Sequence, residues 1–216
     1  MDVLQALMHG VIGSVIAFCG LRISIEPGFK SKTWMKTGLC LWGLAGIGMS
    51  FLAQRLFGTI SQYFPVLAAY WFMEFNTITD YYSGYIYDPA AVLAVLGGLL
   101  LKGCSAGWNS VCDVLFGSIA AASPVGIVIL LSRGAVGLGD MTMMAGLGAL
   151  LGWKTALLAL YLGIITGGTI ALVLLLFRRI RRKDTLPFAP FLLIGLILTL
   201  LFGQQIAARM GSSLAW

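Results

Sequence analysis

The sequence predicts an all-α, polytopic transmembrane helix bundle of about eight spans, organised as a single domain over 1–216. Three observations predict it. The 216 residues are 59% hydrophobic and only 10% charged, with a mean hydropathy of +0.95, whereas soluble domains carry about 25% charged residues. The apolar residues fall in helix-length runs and not in the alternating strands, about ten residues each, of a membrane barrel. Finally, the basic residues sort to one side of the alternating spans. Backbone polar groups at membrane depth must be bonded internally, so helices follow.

Spans of about 15–22 residues suit a hydrocarbon layer of about 30 Å, the shorter ones where neighbours shield them. The first, 3–21, follows Met1-Asp2 with no basic n-region, so it reads as a retained helix and not a cleaved signal. The second, 37–57, begins after Lys36. The third, 62–80, carries Glu74 in its interior and ends on Asp80. Asp88-Pro89 opens the fourth, 89–102, as an N-cap with proline at the first helical position. Asp113 lies near the start of the fifth, 110–131, as a cap or interfacial charge. The sixth, 138–153, opens at Gly137-Leu138-Gly139-Asp140, and the seventh, 155–177, ends on the basic run 178–183. The last, 188–207, follows Pro187. Gly148 with Gly152, and Gly163 with Gly167, are spaced for close helix contacts.

Charge orients the bundle. Arg22, Lys30, Lys32, Lys36, Arg133, Arg178, Arg179, Arg181, Arg182 and Lys183 share one side of the eight-span arrangement, ten of the fourteen basic residues. Arg55, Lys102, Lys154 and Arg209 take the other. The crowded side is expected to be cytoplasmic, with both termini outside. Asp80, Asp88 and Asp140 then meet at the cytoplasmic face, although none was used to orient the chain. The same distribution reads the net charge of +6 as topology and attraction to anionic lipid head groups, chiefly through 178–183, and not as a nucleic-acid surface. Trp71, Trp153 and the Tyr81/Tyr82/Tyr85/Tyr87 cluster fit interfacial belts, the tyrosines alternatively a groove beside Asp80. The longest water-facing segment, about 22–36, is too short for a folded soluble domain.

Cys19, Cys40, Cys104 and Cys112 form no CxxC pair, and His9 is the single histidine, so their spacing offers no structural zinc site. Cys104 and Cys112 are near enough along the chain for an outer-side disulfide, but free thiols used as small apolar residues are the preferred reading.

The chemistry-bearing residues are the intramembrane carboxylates. A carboxylate in an apolar segment carries a steep desolvation cost and is expected to be paired, facing water, or functional. Two of them close together share a proton, because both cannot ionise cheaply, and such a pair can activate water for peptide hydrolysis. Asp80 and Asp140 are the candidate pair. Asp140 equally fits a helix N-cap, and Asp80 a solvated carboxylate at a helix end; the residues alone leave these readings open. Glu74 is expected to support Asp80 or to serve structure, because it has no matching partner.

At these residues the chain resembles the type IV prepilin leader peptidases, GxGD-type aspartyl proteases of the membrane. Residues 137–153, GLGDMTMMAGLGALLGW, are similar to the family's GxGD segment and the glycine-rich helix after it. DYYSGYIYD at 80–88 resembles its first aspartate and following turn. TLPFAPFLLIG at 185–195 resembles the proline-phenylalanine-glycine-proline start of its last helix, and IGSVIAFCGLR at 12–22 its first-helix pattern. The resemblance implies that Asp80 and Asp140 are the catalytic aspartates, that water is the nucleophile, and that no metal or organic cofactor is needed. It implies a substrate too: a prepilin-like precursor whose short basic leader is cut off at the cytoplasmic face of a prokaryotic inner or plasma membrane. Gly137 and Gly139 would let the substrate backbone approach Asp140.

Four positions depart from the family pattern. Thr142 stands where a lysine is common, Tyr87 replaces a proline, Ala189 a glycine and Ala17 an asparagine. Thr142 is expected to alter the charge balance beside Asp140. Relatives that also N-methylate the new terminus carry paired CxxC motifs in the first cytoplasmic loop. Here that loop, about 22–36, has no cysteine, so methyltransferase activity is not expected. Two other classes remain as rivals: a proton-coupled transporter using Glu74, Asp80 and Asp140 as relay sites, and a catalytically silent scaffold of a pilus or secretion system.

Overall fold

Apolar stretches in a bilayer have one local way to satisfy their backbone, and the described residues take it eight times. The computed structural model describes residues 3–24, 32–57, 60–106, 108–132, 136–179 and 186–209. They form α1 (Val3–Ser24), α2 (Lys32–Phe57), α3 (Ile60–Ser83), α4 (Asp88–Ala106), α5 (Trp108–Ser132), α6 (Leu138–Leu151), α7 (Trp153–Leu176) and α8 (Ala189–Arg209). No strand occurs among the described residues.

The order and number of spans match expectation, but most helices run a few residues past the predicted limits. The loop expected at about 22–36 is shortened from both sides, because α1 continues to Ser24 and α2 begins at Lys32. Arg and Lys are good helix formers, so the backbone stays helical where hydropathy has already fallen. Residues 25–31 and the basic positions Arg133, Arg181, Arg182 and Lys183 lie outside the described residues. Among the described residues, Asn109–Ser132, Trp153–Leu176 and Ala189–Arg209 are long and apolar enough to cross a membrane by themselves, and Val11–Arg22, Leu44–Phe57 and Leu138–Leu151 are shorter apolar helices.

Burial is distributed as a lipid-facing bundle requires. Large apolar side chains such as Leu93, Leu100, Ile119, Leu130, Leu131 and Leu172 point outward. Polar Ser50, Asn76, Thr79 and Thr199 are buried and return their hydrogen bonds to their own helices, for example Asn76 Nδ2 to the Phe72 carbonyl at 2.8 Å and Thr199 Oγ1 to that of Gly195 at 2.8 Å. Pro124 cannot donate to the Ala120 carbonyl one turn back, and the Ser123 hydroxyl donates to it instead at 2.9 Å.

α6 is the central element. Its 14 residues extend only about 21 Å, yet Met143, Met144 and Gly146–Leu151 are all buried. Glycines make this possible. A Cβ at Gly148 would lie 3.0 Å from the Gly117 carbonyl carbon of α5, and one at Gly98 of α4 would lie 2.7 Å from the Ala149 carbonyl oxygen. Gly163 and Gly167 likewise meet Leu192 and Phe191 of α8. Gly152 lies at the α5–α6 contact as well, with its Cα 3.5 Å from where a Cβ on Gly117 would sit, and with φ 85 it also breaks the chain between α6 and α7. Cys112 is a free, exposed thiol, which excludes the Cys104–Cys112 disulfide and agrees with the preferred reading of it.

Candidate active site

Three chain turns meet at one end of the bundle. α3 stops where Gly84 adopts φ +67 and returns its amide to the Asp80 carbonyl at 2.9 Å, a left-handed helix ending that glycine takes without strain. That sends 85–87 across to the start of α4. The GLGD segment enters α6 with Gly137 in extended conformation (φ −74, ψ 147) as the N-cap. The third turn is Pro187-Phe188 at the head of α8.

These turns enclose a cavity of about 660 Å3 lined by Asp80, Asp88 and Asp140, by Gly137–Gly139, by Tyr81, Gly84, Tyr85 and Ile86, and by Leu186–Phe188. No lysine, arginine or histidine is among the described residues that line it. Asp80 and Asp140 are close enough for each to feel the other's charge. The two catalytic candidates therefore face one space, although 59 residues lie between them along the chain.

Asp80 is held by the chain's far end. The Ala189 amide donates to its Oδ2 at 2.9 Å. At the head of a helix the first amides lack intrahelical partners, and here Pro190 has none to offer while Phe191 bonds to the Phe188 carbonyl at 3.1 Å. The Pro-Phe-Ala-Pro segment thus leaves the Ala189 amide for the carboxylate. The departure from glycine at Ala189 changes nothing in this contact, because the donor is backbone.

Asp140 is the third residue of α6, not its cap, and its carboxylate faces back to the Gly137 backbone. Gly139 serves packing as well as access: a Cβ there would fall 2.7 Å from Cβ of Ile86. The missing side chain brings the 85–87 turn against the GLGD turn. Thr142 lies one turn along and donates from Oγ1 to Asp88 Oδ1 at 2.8 Å, with the Gly139 carbonyl at 3.0 Å.

Glu74 does not join this group. It is fully buried higher in α3, and a Cβ on Gly13 of α1 would meet its Oε2 at 3.5 Å. Neither carboxylate oxygen has a hydrogen-bond partner among the described residues. Of the tyrosine cluster, Tyr81 and Tyr85 line the cavity, while Tyr87 packs edge-on against Phe75 at 6.2 Å.

A sequence profile of the type IV leader peptidase family matches residues 67–172, a stretch holding both Asp80 and Asp140. The match covers just under half of the chain, and it makes that part similar to the type IV leader peptidase family. Curated relatives agree with the profile. A protein of Aeromonas hydrophila is 26% identical over 171 residues, covering 77% of this chain and 57% of the relative. One from Bacillus subtilis (strain 168) is 27% identical over 191 residues, covering 87% and 71%. One from Burkholderia pseudomallei (strain 1026b) is 31% identical over 120 residues, covering 48% and 39%. Each is named prepilin leader peptidase/N-methyltransferase. The chain therefore spans little more than half the length of the Aeromonas relative. No solved structure matches it.

Two members of this cavity were not legible from the residues as a list. In the sequence, Asp88 before Pro89 reads as a helix cap. α4 starts at Asp88 itself, and its carboxylate instead accepts from Thr142 and lines the cavity. The Ala189 amide carries no side-chain signal at all. For Thr142, the position of the family's lysine was the available clue. Thr142→Val should remove the α6–α4 tie and lower stability by about 0.5–1.5 kcal/mol, whereas Thr142→Ser keeps the hydroxyl. Thermal unfolding in detergent checks this; equal midpoints for Val, Ser and wild type would show that the bond contributes nothing.

Proposed function

We propose that the chain is a membrane aspartyl endopeptidase that removes the short basic leader of type IV prepilin-like precursors, with Asp80 and Asp140 as the acid/base pair. The observation that carries this reading is the convergence of the two carboxylates on one cavity at a single end of the bundle. One carboxylate accepts a proton from water, and the water oxygen bonds to the scissile carbonyl carbon. The other carboxyl passes its proton to the carbonyl oxygen. Collapse of the tetrahedral intermediate breaks the C–N bond: the departing nitrogen takes up the proton drawn from water, and a hydroxyl of the intermediate returns its proton to the second carboxylate as the new carbonyl forms. Ala189 keeps Asp80 oriented throughout through its amide.

A cavity lined, among the described residues, by three carboxylates and no basic side chain suits a basic leader. The charge distribution supports a cytoplasmic active site in a prokaryotic inner or plasma membrane, both termini outside, with Arg178 and Arg179 facing anionic head groups. Gly137 and Gly139 supply the access to Asp140, Thr142 ties α6 to Asp88, and Glu74 contributes to α3 from outside the cavity.

The test is a digest of a panel of basic-leader precursors by purified protein in liposomes, with S-adenosylmethionine present. Cleavage is expected, and the new amine is expected to stay unmethylated, because no CxxC pair occurs in the chain. A folded protein that cuts no precursor would return the transporter and scaffold readings. An N-methylated product in the mass spectrum would overturn the second expectation alone.

A further inference from the structure

The connection between α3 and α4 springs from the helix that carries Asp80 and touches the turn that carries Asp140. Gly84 opens it with a left-handed φ of +67 and donates its amide to the Asp80 carbonyl at 2.9 Å. Ile86 lies against Gly139, where a Cβ on the glycine would fall 2.7 Å from Ile86 Cβ, 3.4 Å from Cγ2 and 3.5 Å from Cδ1. Tyr87 packs on Phe75 of α3 with ring centroids 6.2 Å apart, and its carbonyl accepts from the Ala90 amide at 3.0 Å. Asp88 takes the Thr142 hydroxyl at 2.8 Å. The connection is thus fixed to α3 and α4 and meets α6 on both sides of Asp140, at 139 and at 142.

The two carboxylates are fixed in different ways. Asp80 is held by a donor from another element, the Ala189 amide at 2.9 Å. Asp140 takes its backbone hydrogen bond from Gly137, inside its own turn, so its place in the cavity is the place of that turn. We infer that Ile86 is a positioning residue for the pair: its side chain is the spacer that fixes how far the GLGD turn stands from the end of α3. The geometry stands by itself, and its consequence for turnover rests on the peptidase reading. Coupling between two carboxylates falls with their separation, and a misplacement of about 1 Å costs a reaction about 10²-fold in rate. Gly139 is then required by Ile86. A methyl group there would set two carbons 2.7 Å apart, well inside the about 3.5–4.0 Å at which carbons pack best. Ile86 Cβ is carried by backbone that Gly84, Tyr87 and Asp88 hold, so the GLGD turn would have to recede. The access role of Gly139 makes the substrate, not Ile86, the group that a Cβ would obstruct. One substitution separates the two roles: Ile86→Gly removes the opposing carbon and leaves the path to Asp140 no narrower.

The experiment is a compensating pair, read by kinetics and by cross-linking on the full chain in liposomes. Gly139→Ala should lower kcat for precursor cleavage by about 10²-fold with KM held, and adding Ile86→Gly to it should recover at least about tenfold. Separation is read without turnover in Asp80→Cys/Asp140→Cys protein, with Cys19, Cys40, Cys104 and Cys112 replaced by alanine, bridged by bis-methanethiosulfonates of graded length. Gly139→Ala should lengthen the shortest reagent that bridges, and Ile86→Gly should reverse the change. If Gly139→Ala does not fold, Ile86→Ala reports the same contact: it loses Cγ2 and Cδ1, and its kcat should fall about tenfold below that of Ile86→Val, which keeps the branch at Cβ. Equal kcat in those two variants overturns the spacer. A loss in Gly139→Ala that Ile86→Gly leaves uncorrected assigns the glycine to substrate access, which overturns the spacer and keeps the peptidase. A reversed bridging change without cleavage by wild type keeps the spacer and overturns the peptidase. Bridging lengths that ignore both substitutions, or wild-type kcat in Gly139→Ala, overturn the spacer.

Discussion

Asp80→Asn and Asp140→Asn are each expected to abolish precursor cleavage, with a rate loss of at least about 10²–10⁴-fold, while insertion and thermal unfolding stay near wild type. The size follows from the chemistry: an amide neither accepts water's proton nor donates one to the carbonyl, and a positioned proton-transfer group contributes about that much. The intact fold follows from the contacts. Asparagine at 80 keeps an oxygen for the Ala189 amide, which lies 2.9 Å from Oδ2. At 140 asparagine keeps an oxygen for the Gly137 backbone, and the packing of Ile86 against Gly139 does not involve the carboxylate. The measurement is cleavage by each purified variant beside its melting curve. Ordinary turnover by either variant would remove that residue from the mechanism, and the dyad with it.

Gly148→Leu is expected to cost about 2–3 kcal/mol or to prevent assembly, whereas Gly168→Leu is neutral. Both add the same side chain to an apolar helix. At Gly148 the new Cβ would come within 3.0 Å of the Gly117 carbonyl carbon, and backbone gives way less readily than a flexible side chain. At Gly168 nothing lies within 4 Å. The comparison separates tight packing from any general cost of enlarging a glycine in lipid, where small residues let helices approach. Unfolding midpoints and the yield of folded protein in detergent read it out. Equal stability for the two variants would mean that α5 and α6 are not held in this register.

Asp80 and Asp140 stood out in the sequence because a carboxylate inside an apolar run is expensive wherever it sits, so its presence alone asks for an explanation. Gly139 was legible as a glycine that something must approach, but not that the something includes Ile86. Glu74 drew attention for the same reason as the aspartates, yet it faces α1 at Gly13 and stays outside the cavity. Six residues along α3 change both depth and direction, and which face α3 turns inward depends on its neighbours. Gly148 and Gly152 share a spacing that suggested one role, and both lie against Gly117, but Gly152 also turns the chain after α6. Spacing is blind to where a helix ends.

Composition and charge order were sufficient for the helical class, the sequence of the spans and the two aspartates, because partition between lipid and water acts on each segment by itself. The tertiary structure alone decided that Asp80 meets the Ala189 amide, 109 positions away, that Thr142 reaches Asp88 across 54, and that Ile86 closes on Gly139. Hydrogen bonds and van der Waals contacts act over a few ångströms, so such meetings exist only after eight separately formed helices have packed together.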